Sequence, residues 1–232
     1  GAFRISGALL PLQSAWNSVL QGGELGKAIS EMLQREEEGI ASRPRSLKLG
    51  LDQLLAESEK KIIILQGPSG AGKTTILKSF LEEILDKDPS ERVFYGWASQ
   101  SPSIAPGGVV KNVQLSYDSC GILDPEVERL ASELKLDSVM SRLATHSRDN
   151  NVSEVLSGGE MTRIELLRAF RGVKNVIILD EPTTGLDKDA SASLSRVIME
   201  HPARFVIASH DKDFIDSLGD VYKFTVAKDK NT

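Results

Sequence analysis

Gly67-Pro68-Ser69-Gly70-Ala71-Gly72-Lys73-Thr74 fills every fixed position of the pattern G-x-x-x-x-G-K-[ST]. Its flanks supply the context that pattern needs. Upstream, Ile62-Ile63-Ile64-Leu65 is a short, wholly apolar run, as expected of a strand buried on both faces of a parallel sheet. Downstream, Ile76, Leu77, Phe80, Leu81, Ile84 and Leu85 fall on one face of a helix. Glycines let successive backbone N–H groups curl around an anion, and the helix N-terminus adds a favourable dipole. From such a loop Lys73 reaches the β- and γ-phosphates of a nucleotide, and the Thr74 hydroxyl can ligate Mg²⁺. Thr75 is counted with the loop.

Further along lie two more buried-strand runs, Val176-Ile177-Ile178-Leu179 and Phe205-Val206-Ile207-Ala208. Strands alternating with helices indicate an α/β sheet. Each run ends in polar residues, at the strand edge where such sheets bind ligands. The first ends in Asp180-Glu181-Pro182: Asp180 is placed to hold Mg²⁺ and Glu181 to act as general base on water. Taken alone, these two acids read better as a strand-end turn; the upstream loop decides for chemistry. The second run ends in Ser209-His210-Asp211, where His210 can donate to a γ-phosphate. His146 and His201 read as structural.

Leu156-Ser157-Gly158-Gly159-Glu160 precedes a helix whose apolar positions include Met161, Ile164, Leu167 and Phe170. Ser157 and Glu160 have the spacing of a capping box. Two consecutive glycines exceed what a cap needs, and they leave N–H groups bare at a helix N-terminus, a second anion site. The stretch 121–171 has helical spacing and no strong strand.

Composition narrows the class. The 232 residues are 40% hydrophobic and 26% charged, an ordinary globular balance. A formal net charge of −5 carries no footprint for a dedicated nucleic-acid binder. One cysteine, Cys120, cannot form an intrachain disulfide, and with three histidines it does not suggest a structural zinc site. No apolar run approaches the ~20 residues of a membrane span. These features point to a soluble, cytosolic piece of protein.

In this order, the motifs resemble those of an ATP-binding cassette (ABC) ATPase domain. The match comprises the phosphate loop 67–74, Gln100 after a strand at 93–95, the LSGGE signature 156–160 and the Asp180-Glu181 pair. Thr183-Thr184-Gly185-Leu186-Asp187 is similar to the family's D-loop, and His210 to its switch histidine. The resemblance implies a P-loop NTPase fold, α/β with a mostly parallel core sheet and an inserted helical subdomain at about 101–171. It also implies two cassettes paired head to tail, as homodimer or heterodimer, each ATP held between one chain's phosphate loop and the other's Ser157, Gly158 and Gly159. Gln100 is then expected near the metal and attacking water, coupling the site to a membrane partner, and Asp187 to reach across the dimer.

Residues 1–40 carry helical spacing, broken at Gly22-Gly23 and followed by a linker at 42–45. Pro11-Leu12-Gln13-Ser14-Ala15-Trp16 resembles the cytoplasmic end of the last transmembrane helix in fused exporters. The chain is thus expected to comprise a helical segment 1–42 and an ABC ATPase domain 43–232 at the cytoplasmic face of a membrane. It would drive export through a transmembrane domain, possibly on the same polypeptide, with no nucleic-acid partner. Two alternatives stand beside this reading: a non-transport ABC ATPase, and a degenerate cassette that binds nucleotide with little turnover.

Three features depart from the family. Residues 40–60 hold no aromatic to stack on adenine, which predicts weaker or less selective base binding, offset in part by Arg43 or Arg45. The segment 45–61 is short for the family's antiparallel strands. The signature ends in Glu160 rather than Gln, and 149–155 lacks the acidic-Gly motif of many exporters.

Overall fold

The computed structural model describes residues 50–87, 94–104, 112–113, 125–144 and 155–227. The expected helices of 1–40, the linker 42–45, Cys120 and His146 lie outside them. In chain order the elements are α1 (Leu51–Glu57), β1 (Ile62–Gln66), α2 (Lys73–Asp86), β2 (Tyr95–Ala98), α3 (Pro125–Glu133) and α4 (Asp137–Ala144). There follow α5 (Gly158–Phe170), β3 (Val176–Asp180), α6 (Lys188–Glu200), β4 (Arg204–Ala208), α7 (Lys212–Ser217) and β5 (Tyr222–Thr225).

The five strands form one sheet in the order β2-β3-β4-β1-β5, and every neighbouring pair is parallel. The α/β class expected from the apolar runs is the class observed. Side chains alternate between the two faces. Ile62, Ile64, Ile177, Leu179, Phe205 and Ile207 join the core with α3, α5, α6 and α7. Ile63, Leu65, Val176, Ile178, Val206 and Ala208 join the core with α1 and α2. Both faces are therefore dry, which is why these runs show no polar alternation. Each of these Val, Leu, Ile and Phe side chains contributes about 1.5–3 kcal/mol by burial.

Several elements differ from expectation. The 50–61 segment holds helix α1 and no strand. A carboxylate oxygen of Glu83 on α2 caps its start, accepting from Leu51 N at 2.7 Å. Arg204 secures its other end, donating to Leu55 O at 2.9 Å and Ser58 O at 2.5 Å. The strand expected at 93–95 instead runs Tyr95–Ala98. Gly96 admits the backbone of α5: a Cβ there would lie 2.1 Å from Ala169 O. Strand β5 was not read from its Tyr-Lys-Phe-Thr sequence, because a half-exposed edge lacks the apolar run of the central strands. On α2, Leu85 is exposed while Ile76, Leu77, Phe80 and Ile84 are buried, so the dry face is narrower than the spacing suggested. Within 101–171 the described residues hold helices and no strand. Among the described residues, no helix is long and apolar enough to cross a membrane.

Candidate functional site

Parallel strands deliver their C-terminal ends to one edge of the sheet, and the candidate residues collect there. Residues 67–75, Gln100, Asp180, Glu181 and His210 line a cleft of about 610 Å³, within the size range of small-ligand pockets. The loop 67–72 crosses from β1 to α2. Gly70 and Gly72 adopt φ of +77° and +87°, which only glycine takes without strain. At Gly67 a Cβ would lie 2.6 Å from Val226 O, so glycine there lets the loop start against the end of β5. The Lys73 ammonium donates to Gly67 O at 2.8 Å and to Pro68 O at 3.3 Å, which holds it over the loop.

Asp180 ends β3 and is 2% exposed. Burial pushes its carboxyl above the usual carboxylate range. The Thr74 hydroxyl bond opposes that shift, the Glu181 charge adds to it, and Lys73 and Lys78 oppose it. Among the described residues its Oδ2 has no hydrogen-bond partner. A buried carboxylate oxygen without a donor, beside a threonine hydroxyl, fits a hard cation. Mg²⁺ takes only one or two protein carboxylates alongside nucleotide phosphates.

Glu181 is buried at 8% exposure, with φ of +47°. Its N–H donates to Ala208 O at 2.8 Å, and its carbonyl accepts from Thr184 N at 3.1 Å. The turn brings its carboxylate to His210, with Oε2 2.8 Å from Nδ1 and 3.3 Å from the His210 N–H. The imidazole itself is 79% exposed, standing at the rim of the cleft.

Ser157, Gly158, Gly159 and Asp187 do not line this cleft. Ser157 and Glu160 form the capping box expected from their spacing, at 3.3 and 2.8 Å. Glu160 also pairs with Arg142 on α4 at 2.8 Å. Burial raises its carboxyl, but the Ser157 backbone donor and Arg142 outweigh that and hold it below the ordinary value. Glutamate thus has a local reason to end this signature. The two glycines differ. At Gly159 a Cβ would meet Gly185 O at 2.2 Å, whereas at Gly158 it would meet nothing within 4 Å. Gly159 therefore serves close packing within the chain, whereas Gly158 is exposed with open space around it. Asp187 caps α6, accepting from Ala190 N at 2.8 Å.

Sequence reasoning missed a buried polar network beside Gln100. Glu165 of α5, 6% exposed, accepts from Ser99 N at 3.0 Å, Ser99 Oγ at 3.2 Å and Ser103 N at 3.4 Å. The available signal was an acid between Ile164 and Leu166, inside an otherwise apolar stretch. His201 is structural, as read: its Nδ1 accepts from Ala203 N at 3.1 Å, Nε2 faces Phe170 O at 3.3 Å, and its ring lies edge-on to Phe170 and Phe205.

A family profile described as ABC transporter matches residues 55–184, more than half of the chain. YfmM of Bacillus subtilis (strain 168), named as an uncharacterized ABC transporter ATP-binding protein, is 30% identical over 178 residues. The alignment covers 75% of this chain and 31% of YfmM. The zinc import ATP-binding protein ZnuC of Haemophilus influenzae is 34% identical over 161 residues, covering 65% of this chain and 56% of ZnuC. The chain thus spans from a third to little more than half the length of these relatives. The structure titled as the dimer of MJ0796, a bacterial ABC transporter cassette, superposes with a TM-score of 0.54 at 20% identity. It covers 73% of this chain and 83% of that one, which shows a shared fold. On this fold, these motifs and the matched profile, the chain belongs to the ABC transporter family.

Proposed function

We propose that the chain binds and hydrolyses ATP as the motor domain of a membrane transporter, working as a head-to-tail pair of cassettes at the cytoplasmic face. The observation that carries this is the cleft itself, where a glycine loop with its lysine faces Asp180, Glu181 and His210. Backbone N–H groups of 69–75 and the Lys73 ammonium would bind the β- and γ-phosphates. Thr74 and Asp180, with Gln100 alongside, would hold Mg²⁺, which when bound neutralises charge on those phosphate oxygens. Glu181 accepts a proton from water as the water oxygen bonds to the γ-phosphorus. The bond from that phosphorus to the bridging oxygen breaks, and ADP leaves with that electron pair. His210 Nδ1 lies 2.8 Å from Glu181 Oε2, which leaves Nε2 to face the γ-phosphate.

Gly158 supports the pairing, because it opens the exposed start of α5, which does not line the chain's own cleft. Its amide would complete the site of a second cassette, in a homodimer or heterodimer, together with Ser157, Gly159 and Asp187. Replacing Glu181 with Gln is expected to keep ATP binding, lower turnover by about 10²-fold or more, and trap an ATP-bound dimer visible by sedimentation. Wild-type hydrolysis in that variant would exclude Glu181 as the base.

Export is carried only by residues 11–16 and their resemblance to an exporter's last membrane helix. The relatives do not support it: those named for a direction, such as the zinc import protein ZnuC and the phosphate import protein PstB 2 of Lactobacillus johnsonii, are import proteins. Six membrane spans in the coding sequence upstream of Gly1 would establish a fused exporter. A separate membrane subunit gene would establish the other arrangement.

A further inference from the structure

Gln100 is an exposed side chain on a short loop that contributes little packing of its own. What fixes this loop comes from α5, the helix that begins at the signature. Glu165 takes the backbone N–H of Ser99, just before Gln100, and that of Ser103, three residues after it. One turn further along α5, Arg168 donates to Ser103 O at 2.7 Å and to Asn112 Oδ1 at 3.4 Å. The loop 99–103 is thus clamped at both ends by one helix, and Gln100 stands in the cleft wall between the clamps.

A buried carboxylate is a costly way to satisfy two amides. Desolvation alone pushes Glu165 upward, with the Ser99 and Ser103 donors and Arg168 opposing. Replacing such groups with well-packed apolar residues often stabilises a protein. What an apolar residue could not do is define where both ends of the loop sit. We propose that Glu165 is a positioning residue for Gln100, setting from the signature helix where Gln100 meets the metal and attacking water. This rests on the role given to Gln100 above.

The test uses Glu165→Ala, Glu165→Gln, Gln100→Ala and the double variant Glu165→Ala/Gln100→Ala in the 232-residue chain. The first readout is independent of turnover. Amide hydrogen exchange across 99–103 should quicken about tenfold or more in Glu165→Ala while α5 stays protected. The Gln variant, which keeps one acceptor oxygen, should fall between. The second readout is kinetic. Misplacing Gln100 by about 1 Å should lower kcat roughly 10- to 100-fold with KM changed less than about threefold. In the Gln100→Ala background the same substitution should cost less than about twofold, because the two act through one side chain.

Unchanged exchange over 99–103 overturns the proposal. So does an equal kcat loss in both backgrounds, which marks a purely structural carboxylate, and so does wild-type turnover in Gln100→Ala. If the Ala variant does not fold, Glu165→Gln carries the same cycle. Failure of the ATPase reading shows separately, as no Mg-ATP-dependent phosphate release from the unsubstituted chain.

Discussion

Glu181 shows how much one residue's backbone contributes to the cleft. A left-handed φ costs a non-glycine residue on the order of 1 kcal/mol or more. Two backbone hydrogen bonds and the buried Pro182 beside it hold the turn, and the return is a carboxylate laid against His210. The paired glycines of the signature separate packing from function at the same scale. Gly159→Ala must move backbone, because its Cβ would meet Gly185 O at 2.2 Å. It should destabilise by about 1–3 kcal/mol in a urea titration. Gly158→Ala has open space, so its melting point should hold or rise slightly. Its cost should instead appear as loss of the ATP-dependent dimer in sedimentation runs. Destabilisation by Gly158→Ala comparable to that of Gly159→Ala would remove the argument that Gly158 faces a partner.

At the level of elements, β2 and α5 pack backbone against backbone at Gly96. Gly96→Ala puts a methyl 2.1 Å from Ala169 O, between two backbones that cannot step aside. We expect a loss of about 3 kcal/mol or more, at the severe end of overpacking. The denaturant midpoint should fall at unchanged slope, and ATPase activity with it, since the Gln100 loop follows β2 and Glu165 lies on α5.

His201 joins the end of α6 to α5 and β4, and it yields a pH prediction. Burial lowers its pKa; nearby Lys61 and Arg129 add to that, while Phe170 O and Glu126 oppose it. A folded-state pKa below the unfolded ~6.5 means that the unfolded chain binds the proton more readily. Its stabilising contribution is therefore complete above about pH 6.5 and is lost as pH falls below it. Relative to His201→Gln, wild type should lose on the order of a few degrees of Tm between pH 7.5 and 5.5, modest because the ring is only partly buried. Glu165 and Asp180, raised by burial, act in the opposite sense and cancel in that difference. Parallel pH profiles for the two proteins would contradict the assignment.

Across the whole molecule, the cleft and the signature are two surfaces joined by one turn. Thr184 donates to Glu181 O at 3.1 Å and its own carbonyl accepts from the Thr162 hydroxyl at 3.3 Å, while Gly185 rests on Gly159. On the proposed pairing, a chain built this way carries half of each of two sites. Turnover per chain should therefore rise with protein concentration and level off once pairs predominate. Assayed by phosphate release across a dilution series at saturating Mg-ATP, a rate independent of concentration would mean that single chains hydrolyse ATP, and the pairing proposal would fall.

The sequence by itself determined the parallel core and the inventory of the cleft, for a physical reason. Strands dry on both faces must be continuous apolar runs, and a phosphate loop depends on glycines at set positions, so 62–65, 67–74, 176–181 and 205–210 announce themselves through local composition. What it left open depends on contacts between distant residues. Strand β5 is edge-paired and amphipathic, α1 is a helix held by Glu83 and Arg204 from elsewhere in the chain, and β2 runs 95–98 with a glycine that admits α5. Only the tertiary structure decided that Gly159 packs while Gly158 stays open, and that Glu165, an ordinary acid on paper, is buried against the loop of Gln100. Burial and hydrogen-bond partnership are properties of the folded surroundings, and those are set by residues dozens of positions away.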